Sequence, residues 1–297
     1  MRRFVKVAGF EFSVEVPSGG TEWTLPGNYK PFELAGQEDR ALLFSLVVDN
    51  EADVPEAEVV YDGVTGDPDM PLIRVMRAAD GRMVLEFAPT QKSEVCSRLV
   101  TNSDYTDGVL KILDRRMGRF ALDNALMVMF AFTAAERHTL EMHASVTLFQ
   151  GRGYLFLGKS GTGKSTHSRL WLENIEGTSL LNDDNPIVRI GNDGVARVYG
   201  SPWSGKTPCY VNDSAPVGAF VRIRQCKENR IEPMKVVEAY ASLYTSCSGF
   251  KADRAMADGL HDTMEQLVST VPSFILDCLP DAEAAYLCNR TVTACNE

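Results

Sequence analysis

Eight residues in the middle of the chain have the types and spacing of a phosphate-binding loop. They are Gly158, Lys159, Ser160, Gly161, Thr162, Gly163, Lys164 and Ser165, and they match the pattern GxxxxGK[ST] in full. An apolar run at 154–157 precedes them, and residues 166–171 can open a helix after them. A strand, a glycine-rich loop and a helix are the setting that this pattern requires. The sequence therefore predicts a loop that holds the phosphates of a nucleotide.

The residue types explain how such a loop works. Three glycines let backbone N–H groups turn toward phosphate oxygens without a Cβ in the way, and the start of the helix adds partial positive charge. Lys164 supplies a charge for the β- and γ-phosphates, and the Ser165 hydroxyl is placed to ligate Mg²⁺. We expect Gly158 to Thr166 to form the nucleotide-binding segment.

Two adjacent carboxylates follow the loop. Asp183 and Asp184 lie in the segment 182–185, which follows Ser179-Leu180-Leu181 at the end of a predicted short strand. One carboxylate can coordinate a metal while the other accepts a proton from an attacking hydroxyl, and the sequence does not order these roles. The alternative is a solvated turn that leads into Pro186. His143, which lies before the strand that precedes the loop strand, is open to a structural or a catalytic role.

Four further residues are weaker candidates. Lys206 could touch a phosphate or the acceptor, although a surface loop lysine is the simpler interpretation. Arg222 and Arg224 alternate with apolar residues on a predicted strand at 217–224, so both face one side, either the nucleotide cleft or solvent. His167 falls in the first turn of the predicted loop helix, where packing or capping is expected.

The organisation of the chain favours two domains. Residues 4–16 alternate apolar and polar side chains with the period of a half-buried strand, and further strand-like runs follow. Residues 119–138 have helical spacing and predict a buried helix, after which strands and helices interleave. We expect a β-rich domain of unknown role at 1–115 and an α/β nucleotide-binding domain at 116–297.

The composition excludes several classes of protein. The chain has 297 residues, with 30 basic and 40 acidic side chains and a formal charge of −10, and a surface of that sign repels nucleic acid and anionic lipid. Seven scattered cysteines without a CxxC pair favour a reduced cytoplasmic chain. No apolar run is long enough to cross a bilayer. We therefore expect a cytoplasmic protein that binds neither nucleic acid nor membrane. The sequence leaves open whether the protein forms a homo-oligomer.

The order of these pieces resembles the catalytic domain of HPr kinase/phosphorylase and, more distantly, the nucleotide-binding core of phosphoenolpyruvate carboxykinase. The segment 143–146, a hairpin with glycines at 151 and 153, the loop 158–165 and the pair 183–184 follow one another as in that family. The resemblance implies an α/β, or α+β, fold with a mainly antiparallel or mixed β core around the loop helix. It also implies ATP and a divalent cation, with Ser165, Asp183 and Asp184 serving metal binding and base catalysis and His143 at the active site.

The chain also departs from that family. Lys159 and Thr166 stand where the family carries acidic residues, and the family's docking signature for HPr is not recognisable. The leading hypothesis is an ATP- and Mg²⁺-dependent phosphotransferase that acts on a hydroxyl of a protein serine or a small molecule. One alternative is a nucleotide-binding regulatory protein with little or no catalysis. A carboxykinase-type enzyme is the less favoured alternative, since its chemistry needs a second metal with His and Lys ligands.

Overall fold

The computed structural model describes residues 2–16, 25–36, 41–64, 68, 70–205 and 207–295. The chain divides into two compact units, Met1–Ala134 and Ala135–Glu297. Among the described helices, none combines the length and the apolar character that a membrane span requires.

The described part of the first unit is built on one mixed sheet of nine strands in the order β3-β1-β2-β4-β9-β8-β7-β6-β5. The strands are β1 Arg2–Val7, β2 Phe10–Glu15, β3 Glu33–Leu34, β4 Ser45–Val48, β5 Ala57–Asp62, β6 Leu72–Ala78, β7 Met83–Ala88, β8 Ser97–Thr101 and β9 Asp107–Ile112. Short 3-10 helices span Gly27–Phe32 and Arg115–Met117, and helix α1 spans Gly118–Ala134.

Helix α1 belongs to the first unit, whereas the sequence places the domain boundary before it, at 115/116. Its apolar residues pack on the sheet of that unit: the Phe130 ring lies 6.1 Å from that of Phe10 and 6.4 Å from that of Phe12. The Tyr29 hydroxyl also donates to Asp123 Oδ1 at 2.8 Å. A buried amphipathic helix can serve either neighbouring sheet, and the sequence pattern alone does not choose between them.

The alternating run 4–16 is a hairpin and not one strand. Ala8 and Gly9 take left-handed backbone angles, with φ of 50° and 84°, and they turn β1 back onto β2 with Val7 opposite Phe10. Because both residues are small, the alternation of apolar and polar side chains continues through the turn. The sequence pattern therefore does not reveal where the first strand ends.

The described part of the second unit contains nine strands and four helices. The strands are β10 Thr139–Glu141, β11 Ala144–Phe149, β12 Arg152–Leu157, β13 Ser179–Asp184, β14 Ile187–Ile190, β15 Ala196–Tyr199, β16 Ser214–Gln225, β17 Arg230–Pro233 and β18 Ser273–Cys278. The helices are α2 Lys164–Asn174, α3 Val236–Tyr244, α4 Arg254–Thr270 and α5 Ala282–Ala294. The predicted α/β class with mixed β structure is confirmed.

Strands β12, β13, β16 and β18 run in the same direction. β12 pairs with β16, and β16 with β18, in parallel, while β11 runs antiparallel between β12 and β13. The carboxyl ends of β13, β12, β16 and β18 therefore lie along one edge of the sheet, which is where open α/β sheets place their ligands.

Helix α2 is anchored to this sheet by a fully buried aromatic side chain. The Trp171 ring lies 5.3 Å from the ring of Tyr154 and 5.4 Å from that of Phe156, both on β12. Because β12 and α2 flank the glycine-rich loop, this packing fixes the two ends of the loop relative to each other.

Candidate functional site

The glycine-rich loop joins the end of β12 to the start of α2. Gly161 and Gly163 have φ of 79° and 101°, in the left-handed region that favours glycine. Gly163 is also the N-cap residue of α2. Within the loop, the Thr162 amide and hydroxyl both donate to Lys159 O, at 3.2 and 2.8 Å. The backbone is thus a tight loop that ends at the amino terminus of a helix, as the sequence predicts.

Lys164 points back under this loop. Its side chain is mostly buried, and Nζ donates to Gly158 O at 3.0 Å, to Lys159 O at 3.4 Å and to His143 Nε2 at 2.8 Å. Burial lowers the pKa of Lys164, and the nearby carboxylates of Asp184 and Asp183 oppose that effect.

His143 connects this lysine to one of the two aspartates. Its Nδ1 lies 3.0 Å from Asp184 Oδ1. An ammonium group can only donate, so a neutral His143 accepts from Lys164 at Nε2 and carries its proton on Nδ1, the nitrogen that faces Asp184. Lys164, His143 and Asp184 form one row of polar contacts, named here the Lys-His-Asp chain.

The register of the sheet brings these three residues together. Ala144 pairs with Asp184 on one side and with Leu157 on the other. His143 comes directly before Ala144, and the glycine-rich loop begins directly after Leu157. A shift of one residue in the pairing of β11 with β12 or with β13 would turn side chains of the shifted strand to the opposite face of the sheet. The contacts of the Lys-His-Asp chain would then be lost.

The Asp184 backbone is strained. Its φ is 144°, a region that non-glycine residues rarely adopt. The segment 201–205 holds it there, because Gly205 N donates to Asp183 O at 2.8 Å and the Ser204 hydroxyl donates to the same oxygen at 3.1 Å. The side chain of buried Asn182 on β13 stabilises the position of that segment, because its Nδ2 donates to Trp203 O at 3.1 Å.

The two aspartates have different surroundings. Asp183 is 5% exposed, whereas the Asp184 side chain is 35% exposed. The Cys209 thiol lies near Asp183, and burial together with that carboxylate raises the pKa of the thiol to about 11. Asp184 is therefore the carboxylate that an incoming molecule can reach more easily.

Glu141 is a buried carboxyl that sequence reasoning missed. It is 2% exposed, and neither carboxyl oxygen has a hydrogen-bond partner within the described structure. Burial raises its pKa to about 7, with a smaller contribution from Asp184 in the same direction. The Ser248 side chain lies close enough to lower the pKa of Glu141 and so to offset part of the effect of burial, although it makes no hydrogen bond to either carboxyl oxygen. Glu141 lies on a three-residue strand, too short for a periodic pattern to identify.

The remaining predicted residues of the loop and helix differ in exposure. Lys159, Gly161 and Ser165 are exposed, and Thr166 is half-buried on α2. His167 is a packing residue, since it is buried, accepts from Trp171 Nε1 at 3.1 Å and has its pKa lowered to about 4 by burial.

The two predicted arginines have separate partners. Arg222 donates to the Ser242 and Thr245 hydroxyls at 3.1 and 3.3 Å, and it lies close enough to Lys164 to contribute to the lowering of its pKa. Arg224 forms a bidentate ion pair with Asp277, with N–O distances of 2.6 and 2.8 Å. Lys206 lies outside the described residues.

A divalent cation here would need phosphate oxygens as well as protein ligands. Within the described ranges, no group of three or more His, Cys, Asp or Glu side chains is placed to hold a metal. Mg²⁺ is ordinarily bound by one or two carboxylates together with substrate phosphates and water. The donors beside the loop are the Ser165 hydroxyl and the carboxylates of Asp183 and Asp184, all of them oxygens, and this set fits Mg²⁺ bound together with a nucleotide.

Comparisons with known proteins give distant structural similarity only. Models of known protein families do not match this chain, and no curated protein matches it either. Among solved structures, the chain is similar to the HPr(Ser) kinase/phosphatase from Coxiella burnetii, with a TM-score of 0.32 and 14% identity. The similarity covers 52% of this chain and 90% of the other. Similarity at this level carries no information about activity.

The strain at Asp184 gives a testable difference between two substitutions. Asp184→Ala and Asp184→Gly both remove the carboxylate, but only glycine adopts a φ of 144° without strain. We expect Asp184→Gly to be more stable than Asp184→Ala by about 1 kcal/mol in chemical denaturation. The same pair at Asp183, which lacks a positive φ, is the control and should favour alanine. Equal stability of the two Asp184 variants would contradict the strained backbone.

The buried Glu141 carboxyl makes stability depend on pH. Its pKa in the folded protein, about 7, lies above its ordinary value of 4.5, so the protonated form favours folding. The free energy of unfolding of the wild type, relative to Glu141→Gln, should fall as pH rises from about 4.5 to about 7. The expected loss is on the order of 3 kcal/mol. Exposed Glu228→Gln controls for the loss of one carboxylate, and a difference that stays flat over this range would refute the assignment.

Proposed function

We propose that the second unit binds ATP with Mg²⁺ and transfers the terminal phosphate to a hydroxyl group of a protein serine or a small alcohol. One observation carries this proposal: the lysine of a glycine-rich loop lies 2.8 Å from His143, which lies 3.0 Å from Asp184. A cation that can hold phosphate and a carboxylate that can accept a proton are thereby placed at one edge of the sheet.

The loop residues would hold the triphosphate. Backbone N–H groups of a loop that ends at a helix amino terminus favour phosphate oxygens. Lys164 Nζ donates to two loop carbonyls and His143 in the structure, and it would exchange at least one of these acceptors for a phosphate oxygen when ATP binds. Because burial already limits the hydration of this ammonium group, such an exchange costs little desolvation.

Ser165 and Asp183 would hold Mg²⁺ together with the phosphates. When bound, the ion neutralises negative charge on the β- and γ-phosphates and orients the terminal phosphate. Asp183 suits this role because it is mostly buried and its charge lies near Lys164.

Asp184 would act as the base. Its half-buried carboxylate can accept the proton of the acceptor hydroxyl, while the acceptor oxygen forms a bond to the terminal phosphorus. The bond from that phosphorus to the bridging oxygen breaks, and the electron pair stays with ADP. His143, whose Nδ1 lies 3.0 Å from Asp184 Oδ1, would orient this carboxylate.

Two substitutions separate binding from transfer. Lys164→Ala should weaken Mg·ATP binding about 10- to 100-fold, because it removes charge-assisted hydrogen bonds. Asp184→Asn should bind ATP within about threefold of the wild type but form ADP about 10²- to 10⁴-fold more slowly. Calorimetric titration and an ADP-release assay measure these two quantities.

An exposed aspartate elsewhere in the unit gives the matched control. Asp193 pairs with Arg197 in a surface hairpin, and Asp193→Asn should leave both binding and ADP formation unchanged. Unaltered ATP binding in Lys164→Ala would refute the loop assignment. ATP binding by the wild type without ADP formation in the presence of candidate acceptors would instead favour a regulatory nucleotide site.

A further inference from the structure

A cavity lies beside the glycine-rich loop, and the proposed chemistry does not use it. Its volume is about 520 Å³, within the range of small-molecule sites. Its walls are the loop residues 161–163, one face of α2, the end of β16 and the turn that follows β18. Part of the cavity wall is therefore the same loop that would hold the phosphates.

The cavity and the Lys-His-Asp chain lie on opposite faces of α2. Lys164 contacts His143, and Ser168, one turn later, shares a hydrogen bond of 2.5 Å with Ser145 on β11. Thr166 and Leu170 instead line the cavity. In an α-helix, a residue lies about 200° around the axis from the residue two positions before it. A phosphate chain that crosses the amino end of α2 would therefore run from the Lys-His-Asp chain at one end to the cavity at the other.

The lining of the cavity suits a flat, uncharged ring. Leu170, Ile223, Leu279 and Pro280 supply apolar surface, and no described lining residue is an acid, a lysine or an arginine. Polar groups are present at the boundary with the loop, where Gln225 Nε2 donates to Gly161 O at 3.2 Å. Ligand sites commonly combine a mostly apolar wall with a few polar groups in this way.

We propose that this cavity binds the nucleoside of the nucleoside triphosphate, with the base against the apolar wall formed by α2, β16 and the turn after β18. The inference rests on the proposed function, because it needs the phosphates in the loop. It adds the direction of the bound nucleotide, with the terminal phosphate at the Lys-His-Asp chain and the base on the far face of α2.

The chain carries its own reporter for this site. Two of its seven free cysteines are exposed, Cys226 and Cys295. Cys226 lines the cavity, whereas Cys295 is the C-cap residue of α5 and does not line it. A bound nucleoside would cover the first thiol and leave the second open, so the wild-type protein contains a matched control.

The experiment measures alkylation of both thiols in the full-length wild-type chain. Iodoacetamide is added to the free protein, to protein with Mg·ATP and to protein with Mg·tripolyphosphate, and each peptide is followed by mass spectrometry. With ATP at about ten times its Kd, Cys226 alkylation should slow about tenfold, because roughly one site in eleven stays free. Cys295 should not change, and tripolyphosphate at the same multiple of its own Kd should leave Cys226 close to the rate of the free protein.

The outcomes that overturn the inference are distinct from failure of the proposed function. If calorimetry shows ATP binding while Cys226 reacts at the free rate, the nucleoside lies elsewhere and the phosphate site still stands. If tripolyphosphate protects Cys226 as fully as ATP does, occupation of the loop alone explains the protection and the cavity is not the nucleoside site. If neither ligand binds, the proposed function and the inference fall together.

Discussion

The ammonium group of Lys164 is the interaction on which the rest of this site depends. It is mostly buried, and it donates to two carbonyls of its own loop and to His143. A buried cation needs such partners because the loss of water would otherwise be costly. The arrangement therefore couples the shape of the glycine-rich loop to the position of His143, and through His143 to Asp184. If the loop binds phosphate as we propose, that binding would be coupled to the orientation of the carboxylate.

The register of the sheet and the strained backbone of Asp184 together position the residues that are coupled in this way. Ala144 pairs with both Leu157 and Asp184, so the loop and the aspartate pair start from the same level of the sheet. The segment 201–205 then holds Asp184 at a φ of 144°. Strain of this kind persists only where the surrounding structure over-determines it, and it concentrates at functional sites. Across the helix, the cavity at Thr166 and Leu170 gives the loop a second, apolar neighbour.

The sequence allowed the local features to be predicted and left the non-local ones open. The glycine-rich loop, the helix after it and the aspartate pair are each contiguous, so spacing and residue type identify them. His143 could be placed before a strand but could not be assigned a partner, because its contacts come from residues 21 and 41 positions away. Helix α1 has a clear period, yet the sheet it packs on depends on tertiary structure. Glu141 and the cavity carry no local pattern, since burial and enclosure arise only when distant segments meet.

The link between the loop and the carboxylate depends on a neutral His143 that carries its proton on Nδ1 and accepts from Lys164 at Nε2. Nitrogen-15 NMR of the histidine rings, recorded where the rings are neutral and assigned with His143→Gln, reports this directly. We expect a protonated Nδ1 and an unprotonated, hydrogen-bonded Nε2, with the Nε2 signal moving toward that of a free imidazole in Lys164→Met. A His143 ring that carries its proton on Nε2, or that is unaffected by Lys164→Met, would contradict the coupling between the loop and the carboxylate.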